Sequence, residues 1–418
     1  MNKKQTNQRY TSRNSKLLRR MTFQQVEIPD YSEKVITGQS FVRWGADNKF
    51  PEFLQSLMNR SAVHNAIIMS KTRNSFGKGL VISEDMKDIL TKAFCKHPNP
   101  TQTMDELYKR LLFDYVLYGC AAINVIWDAD GQHIAEIYHI DVGKIRSGKK
   151  DMRGNVDTYF YSDNWNRGCK NYVEIPSFNP AHPIGSQLLF ISDYRPGTEY
   201  YSLPSYCGAL TDIATDIEIS NFHLSHLKNG MNPSKMITFT DGVPSDEEEQ
   251  ELIENIQDTY SGTDNAGRML INFVDSQDRT PVVETLGGDN LGDEFIQLEN
   301  STINKILAGH QVTSPLLVGL RGDNGLGNNA NEILEAFNLF ISSVIRPIQD
   351  VILKELNTLL SYTRGYEGME LEATVNSPVD FVLSEATLLR ILTKDELREL
   401  IGKEKLTEEQ RKELEKYE

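Results

Sequence analysis

An α+β fold is predicted for this chain of 418 residues, and three observations carry the prediction. Helix-like and strand-like stretches alternate through roughly the first 200 residues. Two amphipathic rods, near 205–229 and 293–309, flank a short strand-helix-strand-strand module. A long apolar helix from about 330 to 362 follows and is interrupted by Pro347.

The first twenty residues carry Lys3, Lys4, Arg9, Arg13, Lys16, Arg19 and Arg20 and no acid, in a polar setting, which predicts a disordered basic arm over 1–40. From 50 to 80, FPEFLQSLMNRSAVHNAIIMSKTRNSFGKG reads as helices that stop at glycines, where a left-handed cap would sit. TMDELYKRLLFDYVLYGCAAINVIWDADGQHIAEIYHIDVGKIRSG then gives a helix, a break at Gly119, and two strands joined by the Asp-Ala-Asp-Gly turn at 128–131. Strand-like alternation continues through TYFYSDNW and NYVEIPSF.

At about 201 the character changes. Pro204 is placed in the first turn of a rod of about 25 residues, nearly 40 Å at about 1.5 Å per residue, with Leu210, Ile213, Ile217, Leu224 and Leu227 on one stripe and Gly230 at its end. Strand KMITFT, helix SDEEEQELIENIQDTY, and strands RMLINFV and PVVETL follow. Ser245 with Glu248 forms a capping box, and acids suit the positive end of a helix, so this acid run needs no metal to explain it. DEFIQLENSTINKILAG returns as the second rod, predicting two antiparallel helices with a small lobe at their far end. In the last long helix Pro347 removes one backbone hydrogen bond and predicts a kink near 343–347. The remainder, 363–418, carries short helical patterns and a mixed-charge tail.

Composition bounds the function classes. With 39% hydrophobic and 25% charged residues the chain can bury a core, and no continuous apolar run approaches the roughly 18 residues of a membrane span, so no membrane partner is expected. Cys95, Cys120, Cys169 and Cys207 lack any CxxC spacing, which indicates neither a zinc site nor a disulfide framework. A balance of 44 basic against 59 acidic residues, net −15, is opposite to that of a protein gripping DNA through phosphate neutralisation.

The segment SPLLVGLRGDNGLGNNANEILEAF sets Gly319, Gly322, Gly325 and Gly327 ahead of a helix. A phosphate cradle of the GxxxxGK[ST] kind needs a preceding strand, a lysine and a hydroxyl, and here Gly325 is followed by Leu326. The segment therefore reads as a surface loop with Arg321 as its cation. His223 and His226 stand three apart on the first rod without a third ligand at useful spacing. Asp30, Asp85 and Lys87 satisfy a loose nuclease pattern of carboxylates plus lysine. No GxSxG elbow and no Walker signature is present, so neither an enzyme nor a cofactor is expected.

Three stretches in this order resemble the portal proteins of tailed bacteriophages and prophages: LYGCAAINVIWDADGQHIAEIYHIDVGKIR, YYSLPSYCGALTDIATDIEISNFHLSHLKNGMNPSKMITF, and INKILAGHQVTSPLLVG with its Gly/Asn loop and NEILEAFNLFISSVIRPIQDVILKELNTLL. The chain departs from that pattern at Ser202, where glycine is common, at Thr313-Ser314, which intervene before Pro315, and in its basic arm. The resemblance implies a portal fold: a mixed α/β wing over 41–203, a stem of two helices over 204–231 and 291–311, a small clip over 232–290, a tunnel loop region over 312–330, a kinked tunnel helix over 331–362, and a helical crown and tail over 363–418. It implies a homo-oligomeric ring, typically a dodecamer, at a capsid vertex of the virion, assembled in the host cytoplasm. Double-stranded DNA would pass through it, with the terminase large subunit, a head-tail adaptor, and the major capsid and scaffold proteins as partners.

Under that implication Leu320, Arg321, Gly322, Asp323, Asn324, Gly325, Leu326, Gly327, Asn328 and Asn329 form a DNA-facing loop, and Pro347 sets its position. Asp212, Asp216, Glu218, Glu294 and Glu299 on the rods are candidate channel-lining acids, solvated helix faces being the equal alternative. A phage-derived metal-dependent nuclease and another ring-forming head-tail adaptor are the rival readings.

Overall fold

The structure is a computed structural model that describes residues 28–29, 31–82, 89–165, 171–229, 235–239, 269–273, 282–284, 291–320, 330–366, 368 and 370–375. Residues 1–27 and 30 of the basic arm, the helix expected after Ser245, and everything beyond 375 lie outside the described residues. The end of the arm, expected to be disordered, instead contains strand β1 (Glu33–Val35), which pairs antiparallel with β2 (Val42–Trp44), and the Glu33 carboxylate accepts the backbone N–H groups of Glu199, Tyr200 and Tyr201.

The body is organised by one helix and the strand it feeds. Helix α4 (Met104–Tyr118) opens with a full capping box, Thr103 and Glu106 exchanging hydrogen bonds with each other's backbone, and closes at Gly119 in the left-handed region, φ 77°. Only glycine fits this turn, because an added Cβ would meet the Leu203 carbonyl oxygen at 2.6 Å. The chain then reverses into β4 (Cys120–Trp127), the centre of an antiparallel sheet between β5 (Ile134–Ile140) and β9 (Ser186–Ser192). Successive side chains of a strand point to opposite faces, and β4 uses both. Cys120 and Ala122 enter one buried core. Ala121, Ile123, Val125 and Trp127 enter a second.

The first core also takes in helices α1 (Phe50–Arg60) and α2 (Ala62–Phe76). Its charged member is Arg146, fully buried between the rings of Trp44 and Trp165. Arg146 donates to the Asn48 side-chain oxygen at 2.6 Å and to the carbonyls of Asn48, Gly143 and Ile145.

The two rods are present and antiparallel. Helix α5 spans Leu210–Asn229 and helix α6 spans Leu291–Gly309. Gly309 lies against Ala209, Lys305 reaches Asp212 at 3.6 Å, and Phe295 stacks on Phe222 at 4.9 Å, so positions run in opposite directions along the pair. The first rod is shorter than its sequence suggests. Pro204 lies ahead of it, and a 3₁₀ turn at Cys207–Ala209 precedes Leu210. The reason is tertiary: the Arg195 guanidinium takes the Leu203 and Pro204 carbonyls, and the Tyr206 hydroxyl is held by the Leu117 carbonyl at 2.6 Å. Those groups anchor the chain to the body before the helix can begin. Between the rods, β10 (Lys235–Phe239) is the centre of a three-stranded sheet, parallel to β11 (Met269–Phe273) and antiparallel to β12 (Val282–Glu284).

The last long helix is helix α7 (Ala330–Phe340), a π turn at Ile341–Ile345, and helix α8 (Arg346–Leu360). By length and composition Ile333–Leu360 is long and apolar enough to cross a membrane, its apolar residues being spread along the helix and not gathered in one continuous run. Its stripe is a core stripe: Phe337, Phe340, Ile341, Val344 and Ile345 form a buried cluster, and Ile352, Leu356, Leu359 and Leu360 enter the second core. The region past 363 is not helical throughout. Strand β13 (Leu371–Ala373) pairs antiparallel with β3 (Leu80–Ile82), a partner nearly 300 residues away that three residues of sequence pattern cannot announce.

Where the rods meet the body, His64 Nδ1 and His310 Nε2 stand 2.9 Å apart with Tyr206 stacked on His310. Both rings are buried. Burial, with the Lys71 ammonium beside it, pulls His64 down to about 3, and burial with Lys71 and His64 holds His310 well below its ordinary value. Both rings are therefore neutral at pH 7, one donating to the other.

Two outcomes are expected from this packing. Gly309→Ala would put a Cβ 2.4 Å from that of Ala209 and is expected to cost about 1–3 kcal/mol in urea unfolding, with Ala209→Gly in the same chain recovering part of it. The unfolded histidines take up protons below about 6.5 while the folded pair stays neutral, so stability falls as pH drops from about 6.5 toward 3. A His64→Gln/His310→Gln double variant is expected to lose up to about two protons' worth of the slope of unfolding free energy against pH in that window.

Candidate functional site

The antiparallel pair α5 and α6 and the kinked helix that follows them carry the residues singled out from sequence. Among the rod acids, Asp212 is partly buried and pairs with Lys305 on the opposite rod. Asp216 accepts the Ser61 hydroxyl at 2.6 Å, and Ser61 is also the N-cap of α2, accepting from the His64 backbone N–H at 3.1 Å. Its carboxylate thus faces the body at the start of α2, where a negative charge also suits the positive end of the helix. Glu218 is half-buried and Glu299 is exposed, while the side chain of Glu294 lies outside the described ones. Of the four whose side chains are described, Asp212 and Asp216 are engaged within the chain and Glu299 is exposed. Neither Lys305 nor Ser61 stood out in the sequence, since each is recruited by a partner far along the chain.

Past Gly309 the chain is drawn into a compact turn. Val312 N–H returns to the Leu307 carbonyl at 2.9 Å, and Pro315–Val318 makes a 3₁₀ turn ended by Gly319 in the left-handed region, φ 80°. Leu320 is the described member of the expected loop; its N–H donates to the Pro315 carbonyl at 3.0 Å and its side chain packs on the first core. Arg321, Gly322, Asp323, Asn324, Gly325, Leu326, Gly327, Asn328 and Asn329 lie outside the described residues.

Both ends of that loop are nonetheless fixed. The Ser70 hydroxyl of α2 donates to the Leu317 carbonyl at 2.9 Å, and the Thr313 hydroxyl donates to the Ala336 carbonyl of α7 at 2.6 Å. Thr313 is one of the residues that set this chain apart from the pattern it resembles, and here it ties the turn to the helix on the loop's far side.

Just ahead of Pro347 the helix departs from regular α geometry. The proline ring cannot share a regular helical turn with the Ser343 carbonyl and offers no N–H to it. The ladder widens into the π turn at Ile341–Ile345 immediately before α8. The Ser342 and Ser343 hydroxyls both donate to the Leu339 carbonyl, at 3.1 and 2.5 Å, at the junction of the two halves.

His223 is exposed beside Phe295, and His226 is not among the described side chains. Asp30, Asp85 and Lys87 lie outside the described residues. No group of three or more His, Cys, Asp or Glu positioned to hold a metal occurs among the described residues.

Comparison with known proteins converges on one family. The family model described as "Phage portal protein" matches residues 68–402. A Rickettsia felis protein described as uncharacterised is 25% identical over 316 residues, covering 73% of this chain and 72% of its own. A probable portal protein of Haemophilus phage HP1 is 23% identical over 172 residues, covering 41% and 48%. Among solved structures, a chain in the neck of an empty gene transfer agent particle superposes with a TM-score of 0.55 at 19% identity, over 85% of this chain and 95% of that one. A chain in the neck of a native particle of that kind, computed with C12 symmetry, does so with a TM-score of 0.54 at 20% identity, over the same shares. With a mixed helix and sheet body, a two-helix hairpin, a small distal sheet and a kinked apolar helix now matched by the family model over most of its length, the chain belongs to the phage portal protein family.

Proposed function

We propose that this chain is one subunit of a closed, twelve-membered ring at a capsid vertex, a non-enzymatic conduit for double-stranded DNA. The observation that carries the reading is the antiparallel rod pair with its distal sheet in a chain of the portal family. A head-to-tail ring needs two different faces on each subunit to meet, and apolar residues left exposed on the rods suit such a contact. Leu224, Ile296 and Leu298 are 51%, 56% and 46% exposed in the single chain. The native gene transfer agent neck with C12 symmetry supports twelve as the number.

In this reading the rods form the stem and the β10–β12 sheet belongs to the clip, which meets the terminase large subunit during packaging and a head-tail adaptor afterwards. The body is the wing, facing the major capsid and scaffold proteins. Twelve copies at −15 each sum to roughly −180, a field that keeps a duplex from adhering to the wall. The loop at 320–329, tethered by Ser70 and Thr313, reaches toward the passing DNA with Arg321 as a weak, sequence-blind phosphate contact. Assembly takes place in the host cytoplasm and the mature location is the virion.

Negative-stain images of the purified full chain are expected to show rings with a central hole; uniform compact particles without one would overturn the reading. Deleting 320–328 is expected to leave ring formation intact and to reduce DNA packaging or retention, scored as DNA content per particle. Particles with normal DNA content would remove the loop from the mechanism.

A further inference from the structure

Lys71 stands on α2 with 1% of its surface exposed, yet it makes no hydrogen bond or ion pair with any described residue. Burial draws its ammonium down to about 8, so the side chain still carries its charge at neutral pH. Behind it are His64 and His310, both neutral. In front of it is a cleft of about 360 Å³ lined by Lys71, Tyr115, Ser202, Ser205, Gln311 and Ser343. Pro347, at the start of α8, closes the wall beside Ser343.

Two other charges face the cleft. Arg195 spends its donors on the Leu203 and Pro204 carbonyls and on Cys207 Sγ, at 2.9 to 3.2 Å. Asp193 accepts the Tyr115 hydroxyl. The cleft therefore holds two cations against one anion, and the cation without a partner is the buried one. Buried charges in proteins are paired as a rule, because an ammonium loses its hydration on burial and needs a counter-charge in return.

We propose that this cleft binds a small oxyanion, a carboxylate or a phosphate, on the Lys71 ammonium, with Ser205 and the Gln311 amide as further donors, the Ser202 hydroxyl turning instead to the Leu203 carbonyl at 3.5 Å. The Ser343 hydroxyl is already committed to the Leu339 carbonyl and acts as wall. The site stands on the geometry of one subunit and does not depend on the ring. Its position gives it a consequence: an occupant contacts α2 on one side and the π turn of the loop-bearing helix on the other, joining the two elements through an ion. The oxyanion has two sources, a free ion or an acidic side chain of a second copy of the chain.

The test uses the full chain, with inorganic phosphate as probe and chloride at equal ionic strength as control. Trace reductive methylation at pH 8, read by mass spectrometry, reports on each lysine amine. Labelling of Lys71 is expected to fall about threefold or more once phosphate exceeds its dissociation constant, with the other lysines unchanged. Phosphate is also expected to raise the Tm of the wild type beyond chloride, an increment absent from Lys71→Met and partly kept in Lys71→Arg. A free ion gives these responses in both single subunits and assembled oligomers. A carboxylate from a second copy gives them in single subunits alone, with phosphate weakening association. Equal Lys71 labelling in phosphate and chloride in single subunits overturns the proposal, and that readout needs no variant to fold.

Discussion

The close approach of two helices at the base of the hairpin is the constraint from which the rest of the arrangement follows. Gly309 and Ala209 meet where any larger pair would hold the rods apart, and small residues at a helix crossing let the backbones come together. That contact sets the rods antiparallel, carries Lys305 to Asp212 and Phe295 to Phe222, and delivers His310 into the body beside His64 and Tyr206. A neutral histidine pair is a suitable seal there. It satisfies one nitrogen of each ring without bringing a charge into a core that already holds Lys71.

From this base the chain passes through a turn of about ten residues into the loop and the kinked helix, and each piece is tied to the next. Ser70 holds the turn to α2, and Thr313 holds it to α7. The π turn then redirects the helix so that Ile352, Leu356, Leu359 and Leu360 reach the second core.

Charge is distributed less simply than the net value of −15 suggests. Asp216 is turned toward the start of α2, Asp212 is paired across the hairpin, and Asp114 is enclosed, with burial pushing its carboxyl up while His139 at 2.9 Å opposes the shift. Part of the acidity is therefore structural. In the proposed ring the field at the channel depends on those acids left facing outward, Glu299 among them, and on neighbours that a single chain does not contain.

Local chemistry made much of this molecule legible from its residues. The helix that stops at Gly119, the two rods and the break near Pro347 all follow from interactions within a few positions of chain, which is the range that sequence patterns report. Sequence similarity supplied the family because order and spacing of several weak motifs survive where no single one is diagnostic. Tertiary packing alone decided the rest. It determined where the first rod begins, because Arg195 takes the carbonyls that would have started it sooner; which acids look outward, because Ser61 and Lys305 come from elsewhere in the chain; and that β13 would find β3. These outcomes rest on partners tens to hundreds of residues distant, and the pairing energy that selects them leaves no periodic mark on either strand of sequence.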